Sequence, residues 1–259
     1  MTEMSDVPLR VWRDRDGRLL RLRLNRPKAN IIDGEMIGAL DAAFAEAAES
    51  GDVQAVLLDH EGGHFSFGAS VAEHLPGQCA GMLGALHGLI KRMLAMPVPI
   101  LAAVRGQCLG GGLEVAMASH LIFAAPEASL GQPEIKLAVF APAASCLLPR
   151  LVARVHAEDL LYSGRSISGL RAAEIGLCAA APEDPESAAL AYYDEHLAGL
   201  SASSLGFAVE AARGPFRDAV SADLDRVEAL YLDGLMNTSD AVEGLEAFVS
   251  KRPPKWKHR

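Results

Sequence analysis

Three consecutive glycines, Gly110 to Gly112, precede an apolar run that contains a carboxylate at Glu114. Glycine inside a helix or strand costs roughly 0.5–1 kcal/mol relative to alanine, so three in a row are typical of backbone that must approach another group closely. Backbone N–H groups at the start of a helix have no partner within that helix and can bind a developing negative charge. The sequence therefore predicts an anion-binding backbone site with an acid or base beside it.

Three further segments accompany this motif. Residues 61–70 are rich in glycine and follow an apolar, strand-like run at 53–59, whereas residues 129–134 end in a proline-fixed turn that presents Glu134. With residues 24–30, the four segments resemble, in order and spacing, the crotonase superfamily of enoyl-CoA hydratases and isomerases. The resemblance covers nearly the whole chain.

The composition is that of a globular protein with a full-sized core, since half of the 259 residues are apolar. The formal net charge of −9 disfavours nucleic acid as a general partner, because most of the surface would repel phosphates. Basic residues are concentrated at the C-terminus, either as a solvated tail or as a phosphate-neutralising group. They are Lys251, Arg252, Lys255, Lys257, His258 and Arg259.

The four cysteines lie in apolar surroundings without C-x-x-C spacing, which predicts reduced, buried thiols rather than a zinc site or a disulfide framework.

The first twelve residues lack the apolar run of a secretory signal, and no uninterrupted apolar stretch reaches the roughly 18 residues of a membrane span. We expect a cytoplasmic protein that needs no cofactor beyond the CoA carried by its substrate.

Hydrophobic periodicity predicts alternating strands and helices, and hence an α/β fold. Leucines at 20, 22 and 24 alternate with arginines, which is typical of a half-buried strand. No G-x-G-x-x-G motif opens a strand-to-helix turn, which counts against a dinucleotide-binding fold. The other predicted strands are 53–58, 99–104 and 121–124, and the predicted helices are 34–50, 79–96 and 113–119.

Beyond residue 182 the strand pattern disappears, which divides the chain into a core at 1–182 and a helical region at 183–259. Predicted helices cover 185–200, 202–212, 216–236 and 239–250, with breaks at Gly214-Pro215 and Asn237-Thr238. The resemblance implies a crotonase-like ββα superhelical core whose C-terminal helices pack on neighbouring subunits in a homotrimer or a dimer of trimers. The residues themselves show only amphipathic helices, which would look the same if they packed on their own core.

Hydration of a double bond conjugated to a thioester requires a base for water, an acid for carbon, and donors for the enolate-like oxygen. Glu114 and Glu134 are candidates for the acid and the base, and the resembled hydratases carry acids at both positions. The resemblance places the two oxyanion-hole N–H groups at Ala69 and Gly111. The structural alternatives are a glutamate that complements a helix dipole, a turn residue, and glycines that only permit close packing.

The resemblance also implies contacts with CoA and with the acyl group. The CoA-binding positions are Arg26, Lys28, Ala29, Phe248 and Lys251, and the acyl-pocket positions are His74 and Pro142. Ala72 replaces a lysine that commonly contacts CoA in the family, and Pro142 replaces a glycine that often lies beside the attacking water. No metal site is expected, since glycines between His60 and His64 break the helix that would pair them.

Residues 67–74 and 139–145 look like the branch of the family that hydrates cyclic dienoyl-CoA thioesters, whose substrate is cyclohexa-1,5-diene-1-carbonyl-CoA. Two alternatives remain open from the sequence. One is a hydratase or isomerase of linear enoyl-CoA thioesters, and the other is a non-catalytic protein that binds acyl-CoA.

Overall fold

The computed structural model describes residues 7–181 and 184–259, which form nine strands in two sheets. The strands are β1 (Leu9–Asp14), β2 (Leu19–Leu24), β3 (Ala55–His60), β4 (Ile100–Val104), β5 (Gln107–Leu109), β6 (Leu121–Ala124), β7 (Ser129–Gly131), β8 (Ser166–Ser168) and β9 (Ala179–Ala180).

The larger sheet has the order β1-β2-β3-β4-β6-β9, in which β1 and β2 are antiparallel and the remaining neighbours are parallel. The smaller sheet has the order β5-β7-β8. Because β5 follows β4, and β7 follows β6, the parallel β4–β6 pair of the large sheet continues into the parallel β5–β7 pair of the small one. The small sheet therefore lies at the carboxyl ends of the large sheet's central strands, where ligands bind in open α/β sheets.

The helices of the described residues pack around these sheets. They are α1 (Gly34–Glu49), α2 (Cys79–Leu94), α3 (Gly111–Ala118), α4 (Pro142–Leu151), α5 (Arg154–Ser163), α6 (Gly169–Glu174), α7 (Pro185–Tyr192), α8 (Ala202–Ala229) and α9 (Ser239–Val249). The predicted α/β alternation is confirmed, and the predicted helices at 34–50, 79–96, 113–119 and 239–250 match α1, α2, α3 and α9 within about two residues.

The predicted break at Gly214-Pro215 is wrong, because α8 runs through both residues as one helix. A proline removes one helical hydrogen bond, but contacts on either side hold the helix together. Before the proline, Arg213 donates to the carbonyls of Ala118 and Ser119 at 2.7 and 3.0 Å. After it, Val220 and Leu224 lie in the hydrophobic core.

The predicted half-burial of β2 is also wrong, since Arg21 is only 4% exposed. Its guanidinium donates to the buried Asp59 carboxylate at 2.6 Å and forms an ion pair with Glu186 of α7. Arg23 donates to the same Asp59 carboxylate at 2.6 Å. Paired carboxylates allow arginine to lie inside, because the charge is compensated there. This cluster joins two strands of the large sheet to α7.

The C-terminal helices pack on the chain's own core. Leu224, Tyr231 and Leu245 belong to the same hydrophobic cluster as the strands and helices that precede them. The predicted boundary between the two regions falls at residues 182–183, outside the described part of the chain.

The four cysteines are free, as predicted, but Cys178 is only partly buried, whereas Cys79, Cys108 and Cys146 are fully buried.

Among the described residues, no helix combines the length and apolar character needed to cross a membrane.

Candidate active site

Three backbone segments meet at the end of the small sheet. The Ser66 N–H donates to the Gln107 carbonyl, and the Leu109 N–H donates back to the Ser66 carbonyl, both at 3.0 Å. The Gly110 N–H donates to the Gly131 carbonyl, also at 3.0 Å. These bonds fix the two glycine-rich segments and the Pro-Glu turn against one another, which brings distant parts of the chain to one point.

The three glycines are required by close approaches, as the sequence predicts. A Cβ on Gly110 would lie 2.6 Å from Oε1 of Glu134, and its φ of +51° is in the left-handed region. A Cβ on Gly111 would lie 2.9 Å from Cβ of Ala69, and one on Gly112 would lie 2.5 Å from Cβ of Ser66. Each contact leaves no space for a side chain.

Ala69 and Gly111 lie side by side on the wall of the same cavity. Gly111 is the first residue of α3, so its N–H has no partner within the helix. The loop that carries Ala69 turns at Gly68, which has a φ of +111°. The Gly68 N–H donates to the Ser66 hydroxyl at 3.1 Å. The backbones of Ala69 and Gly111 therefore lie next to each other on the cavity wall.

Glu114 is buried, with 3% exposure, and projects from α3 into the cavity. The Ala144 N–H, in the first turn of α4, donates to its Oε1 at 2.8 Å. Burial raises the pKa of Glu114, and the N–H groups of Ala144 and Ala143 partly offset that rise. Because these donors favour the carboxylate, α4 stabilises the ionised form of Glu114.

Glu134 lies in the helical turn Pro133–Leu137 and faces the same cavity. With its amide nitrogen oriented towards the carboxyl group, Gln132 donates to Glu134 at 3.1 Å. Burial raises the pKa of Glu134, and the negative charge of Glu114 raises it further. Both carboxyls therefore have pKa values above their ordinary range, and only for Glu134 does a neighbouring negative charge add to the effect of burial.

His74 and Pro142, the two predicted acyl-pocket residues, both line the cavity. The His74 Nδ1 is 2.8 Å from the Ser70 carbonyl, so it carries the ring proton when the imidazole is neutral. Burial lowers the pKa of His74, which favours that neutral form. Pro142 is the first residue of α4 and contributes no N–H to the site.

The predicted CoA-binding residues lie outside the lining of this cavity. Arg26 forms ion pairs with Asp33 and Glu35, and the Ala29 carbonyl accepts from the Phe67 N–H at 2.9 Å. Lys28, Phe248 and Lys251 are exposed. Phe248 lies in the last turn of α9, and Lys251 follows that helix.

Sequence reasoning assigned no role to Asn30, which is fully buried. Its Nδ2 donates to the carbonyls of Glu61 and His64 at 3.1 and 2.9 Å, while its Oδ1 accepts from the Arg26 N–H at 2.8 Å. Asn30 therefore holds the loop that leads to Ala69. Its position within a polar motif was the only local indication of this role, because the two carbonyls to which its side chain donates are more than thirty residues away.

The apolar walls of the cavity were also missed, because their residues come from distant elements. They are Phe67, Val71, Leu83, Leu86, Pro133, Leu137, Val139, Phe140 and Leu245.

His60 and His64 do not converge. His60 is buried against Phe65, with ring centroids 5.7 Å apart, whereas Nδ1 of His64 accepts from the Gln107 N–H at 3.1 Å. Within residues 7–181 and 184–259, no three His, Cys, Asp or Glu side chains are grouped so as to hold a metal ion.

Comparison with known proteins places this geometry in context. The model of the enoyl-CoA hydratase/isomerase family matches residues 14–259. The chain is 61% identical over 259 residues to cyclohexa-1,5-dienecarbonyl-CoA hydratase of Thauera aromatica, covering 100% of both chains. It is 32% identical over 246 residues to a probable enoyl-CoA hydratase of Bacillus subtilis (strain 168), covering 91% of this chain and 94% of the relative.

Solved structures show the same fold. An enoyl-CoA hydratase/isomerase from Pseudoalteromonas atlantica T6c superposes with a TM-score of 0.85 at 25% identity, covering 96% of this chain and 99% of that structure. An enoyl-CoA hydratase from Mycobacterium avium subsp. paratuberculosis K-10 superposes with a TM-score of 0.84 at 24% identity, covering 96% and 98%.

Proposed function

The chain belongs to the enoyl-CoA hydratase/isomerase family, and from this premise we propose that it hydrates cyclohexa-1,5-diene-1-carbonyl-CoA. The observation that carries the proposal is the full-length 61% identity to the Thauera hydratase. Two glutamates that share a cavity support it, because they supply the acid and the base that hydration requires.

Glu114 is the base and Glu134 is the acid in this mechanism. The Glu114 carboxylate takes a proton from water as the water oxygen bonds to the β-carbon of the thioester. The N–H groups of Ala69 and Gly111 stabilise the negative charge that moves onto the thioester oxygen. Glu134 then delivers its proton to carbon, and transfer of a proton from Glu114 to Glu134 restores the starting state.

The lining of the cavity suits a hydrocarbon ring. Apart from the two glutamates and His74, its side chains are apolar, and Phe140 packs on the buried Tyr231 with ring centroids 5.2 Å apart. Pro142 adds a rigid ring to the lining. The cavity measures about 70 Å³, which is smaller than the roughly 150 Å³ of an apolar cavity that binds benzene. A ring must therefore widen it on binding.

The CoA portion belongs outside this cavity. We assign it to Lys28 and Ala29 of the subunit that holds the acyl group, and to Phe248 and Lys251 of a neighbouring subunit, as the family resemblance implies. Lys28 and Lys251 are exposed cations that suit phosphates. Arg26 is a weaker candidate, because Asp33 and Glu35 already neutralise it. A homotrimer or a dimer of trimers is part of the proposal and rests on the family resemblance.

The test is to mix the purified protein separately with cyclohexa-1,5-diene-1-carbonyl-CoA and with crotonyl-CoA, following absorbance and product mass. Rapid hydration of the cyclic diene with little reaction of crotonyl-CoA supports the proposal. The opposite preference would assign a linear enoyl-CoA hydratase, a shifted double bond without added mass would assign an isomerase, and binding without reaction would assign an acyl-CoA-binding protein.

Variants then test the mechanism. Glu114→Gln and Glu134→Gln each remove one proton-transfer group and should lower kcat by about 10²-fold or more, with ligand binding largely intact. Glu127→Gln is the matched control, because Glu127 is exposed and remote from the cavity lining. A Glu134→Gln protein with near-normal activity would disprove the two-carboxylate mechanism.

A further inference from the structure

Residues 252–259, here called the C-terminal strap, have no regular secondary structure after the turn that follows α9, yet they are bound along that helix. The carboxylate of Asp240 accepts the backbone N–H groups of Lys257 and His258, each at 2.6 Å. The carboxylate of Glu243 accepts the Lys255 N–H at 2.7 Å. Asp240 and Glu243 lie three residues apart in α9 and therefore present their carboxylates on one face.

A bidentate ion pair strengthens the attachment. Arg252 donates to the two Glu243 oxygens at 2.6 and 2.8 Å. This pair and the Lys255 N–H lower the pKa of Glu243 to about 2, so its carboxylate stays ionised. The strap thus has a defined path rather than that of a free tail.

The strap places Trp256 on α9 at Gly244. A Cβ on Gly244 would lie 3.1 Å from Cη2 of Trp256 and would overlap the Leu137 carbonyl oxygen. Leu137 ends the helical turn that carries Glu134. Trp256 also borders the surface of that turn at Ile135 and Ala138. The indole, the glycine and the end of the turn are therefore stacked in contact.

The Glu134 turn needs such support. It closes at Ala138, whose φ of +57° is disfavoured for a residue with a side chain. The Ala138 N–H donates to the Ile135 carbonyl at 3.1 Å, but the next hydrogen bond, from the Val139 N–H to the Glu134 carbonyl, is 3.4 Å long. A turn with a disfavoured residue and a long bond keeps its shape only when the surrounding packing fixes it.

We propose that Trp256 is a positioning residue for Glu134, acting through Gly244 and the end of the 133–137 turn. The strap packs on α9, and α9 packs on this turn. Together they hold the Glu134 carboxyl beside Gly110, facing Glu114. The proposal deepens the proposed function and rests on it in one respect, since Glu134 must be the acid of the hydratase.

Trp256→Ala tests the proposal directly. Because a displacement of about 1 Å in a reacting group costs on the order of 10² in rate, we expect kcat to fall about 10- to 100-fold, with KM changed less than about threefold. The loosened turn admits water, so the pKa of Glu134 falls and the alkaline decline of kcat moves to lower pH. Trp256→Phe should restore most of the activity.

A double-mutant cycle separates positioning from general damage. If Trp256 acts through Glu134, then Trp256→Ala should add little to the loss already caused by Glu134→Gln. Leu170→Ala is the control, because Leu170 is an exposed apolar residue of α6 away from the Glu134 turn. Gly244→Ala should reproduce the defect of Trp256→Ala, since its methyl group displaces the Leu137 carbonyl.

Hydrogen exchange at residues 133–139 provides a readout independent of activity, and Trp256→Ala should accelerate it. The proposal is overturned if Trp256→Ala lowers the melting temperature while kcat, the alkaline limb and exchange at 133–139 all stay at wild-type values. An inactive wild-type protein would refute the proposed function instead, and accelerated exchange would still support the contact between strap and turn.

Discussion

Two features require glycine at position 110. Its φ is positive, and the Glu134 carboxyl lies where a Cβ would be. Gly110→Ala should therefore destabilise the protein by about 1–3 kcal/mol and displace Glu134, with a large loss of kcat. Gly88→Ala is the control, because Gly88 lies inside α2 with open space at its Cβ position. That variant should gain about 0.5–1 kcal/mol in urea unfolding and keep its activity. Equal effects of the two substitutions would contradict the close approach at Gly110.

The raised pKa of Glu134 makes the stability of the fold depend on pH. The folded state raises the pKa of Glu134 above its ordinary value of 4.5, so this group favours folding while protonated. That contribution is lost as pH rises from the ordinary value through the raised one. Glutamine does not titrate, so Glu134→Gln should lose activity yet gain stability relative to wild type between pH 5 and pH 8, by about 1 kcal/mol or more. Urea unfolding at both pH values measures this, and a constant difference would count against a raised pKa.

At the scale of elements, α8 carries Pro215 in its interior, where the residue's missing N–H leaves the helix one hydrogen bond short. Pro215→Ala restores that donor and should raise the free energy of unfolding by about 1–3 kcal/mol without changing kcat. Thermal unfolding with an activity assay at one temperature measures both. A loss of stability would show instead that the proline shapes the helix for its packing on α2 and α4.

The ionic cluster at Arg21, Asp59 and Glu186 holds α7 on the large sheet. Asp59→Ala removes the buried carboxylate that pairs with the Arg21 guanidinium and should cost about 3 kcal/mol or more. Asp41→Ala breaks the exposed ion pair with Arg92 and should cost at most about 1 kcal/mol. Denaturant unfolding of both variants measures the contrast. Similar small losses would mean that Glu186 alone compensates Arg21.

At the scale of the whole molecule, the C-terminal helices close the chain's own core, as Tyr231 and Leu245 show. Large apolar side chains nevertheless remain exposed, including Phe207 at 80% and Val155 at 67%. Single exposed apolar side chains also occur on monomers, so the expected assembly rests on the family resemblance. We expect light scattering on the purified protein to give a mass of three or six chains, and a monomer at micromolar concentration would contradict the proposed assembly.

The sequence determined the order of strands and helices, since hydrophobic periodicity is local and residues 34–50, 79–96 and 121–124 fold as their patterns predict. Its motifs also identified Glu114 and Glu134, and the family resemblance identified Ala69 and Gly111. The structure brings all four to one cavity. Periodicity did not predict the burial of Arg21 or the passage of α8 through Pro215. Both depend on partners far along the chain, and long-range contacts outweigh local propensity.

Tertiary structure alone decided what surrounds the two carboxyls. Glu114 is stabilised by an N–H group thirty residues away in α4, and Glu134 is supported by a strap more than one hundred residues away. Their raised pKa values follow from burial among side chains of α2, α4 and α9, which no local pattern records. Sequence specifies which groups are present, whereas folding sets the distances and the solvent exclusion that determine their protonation.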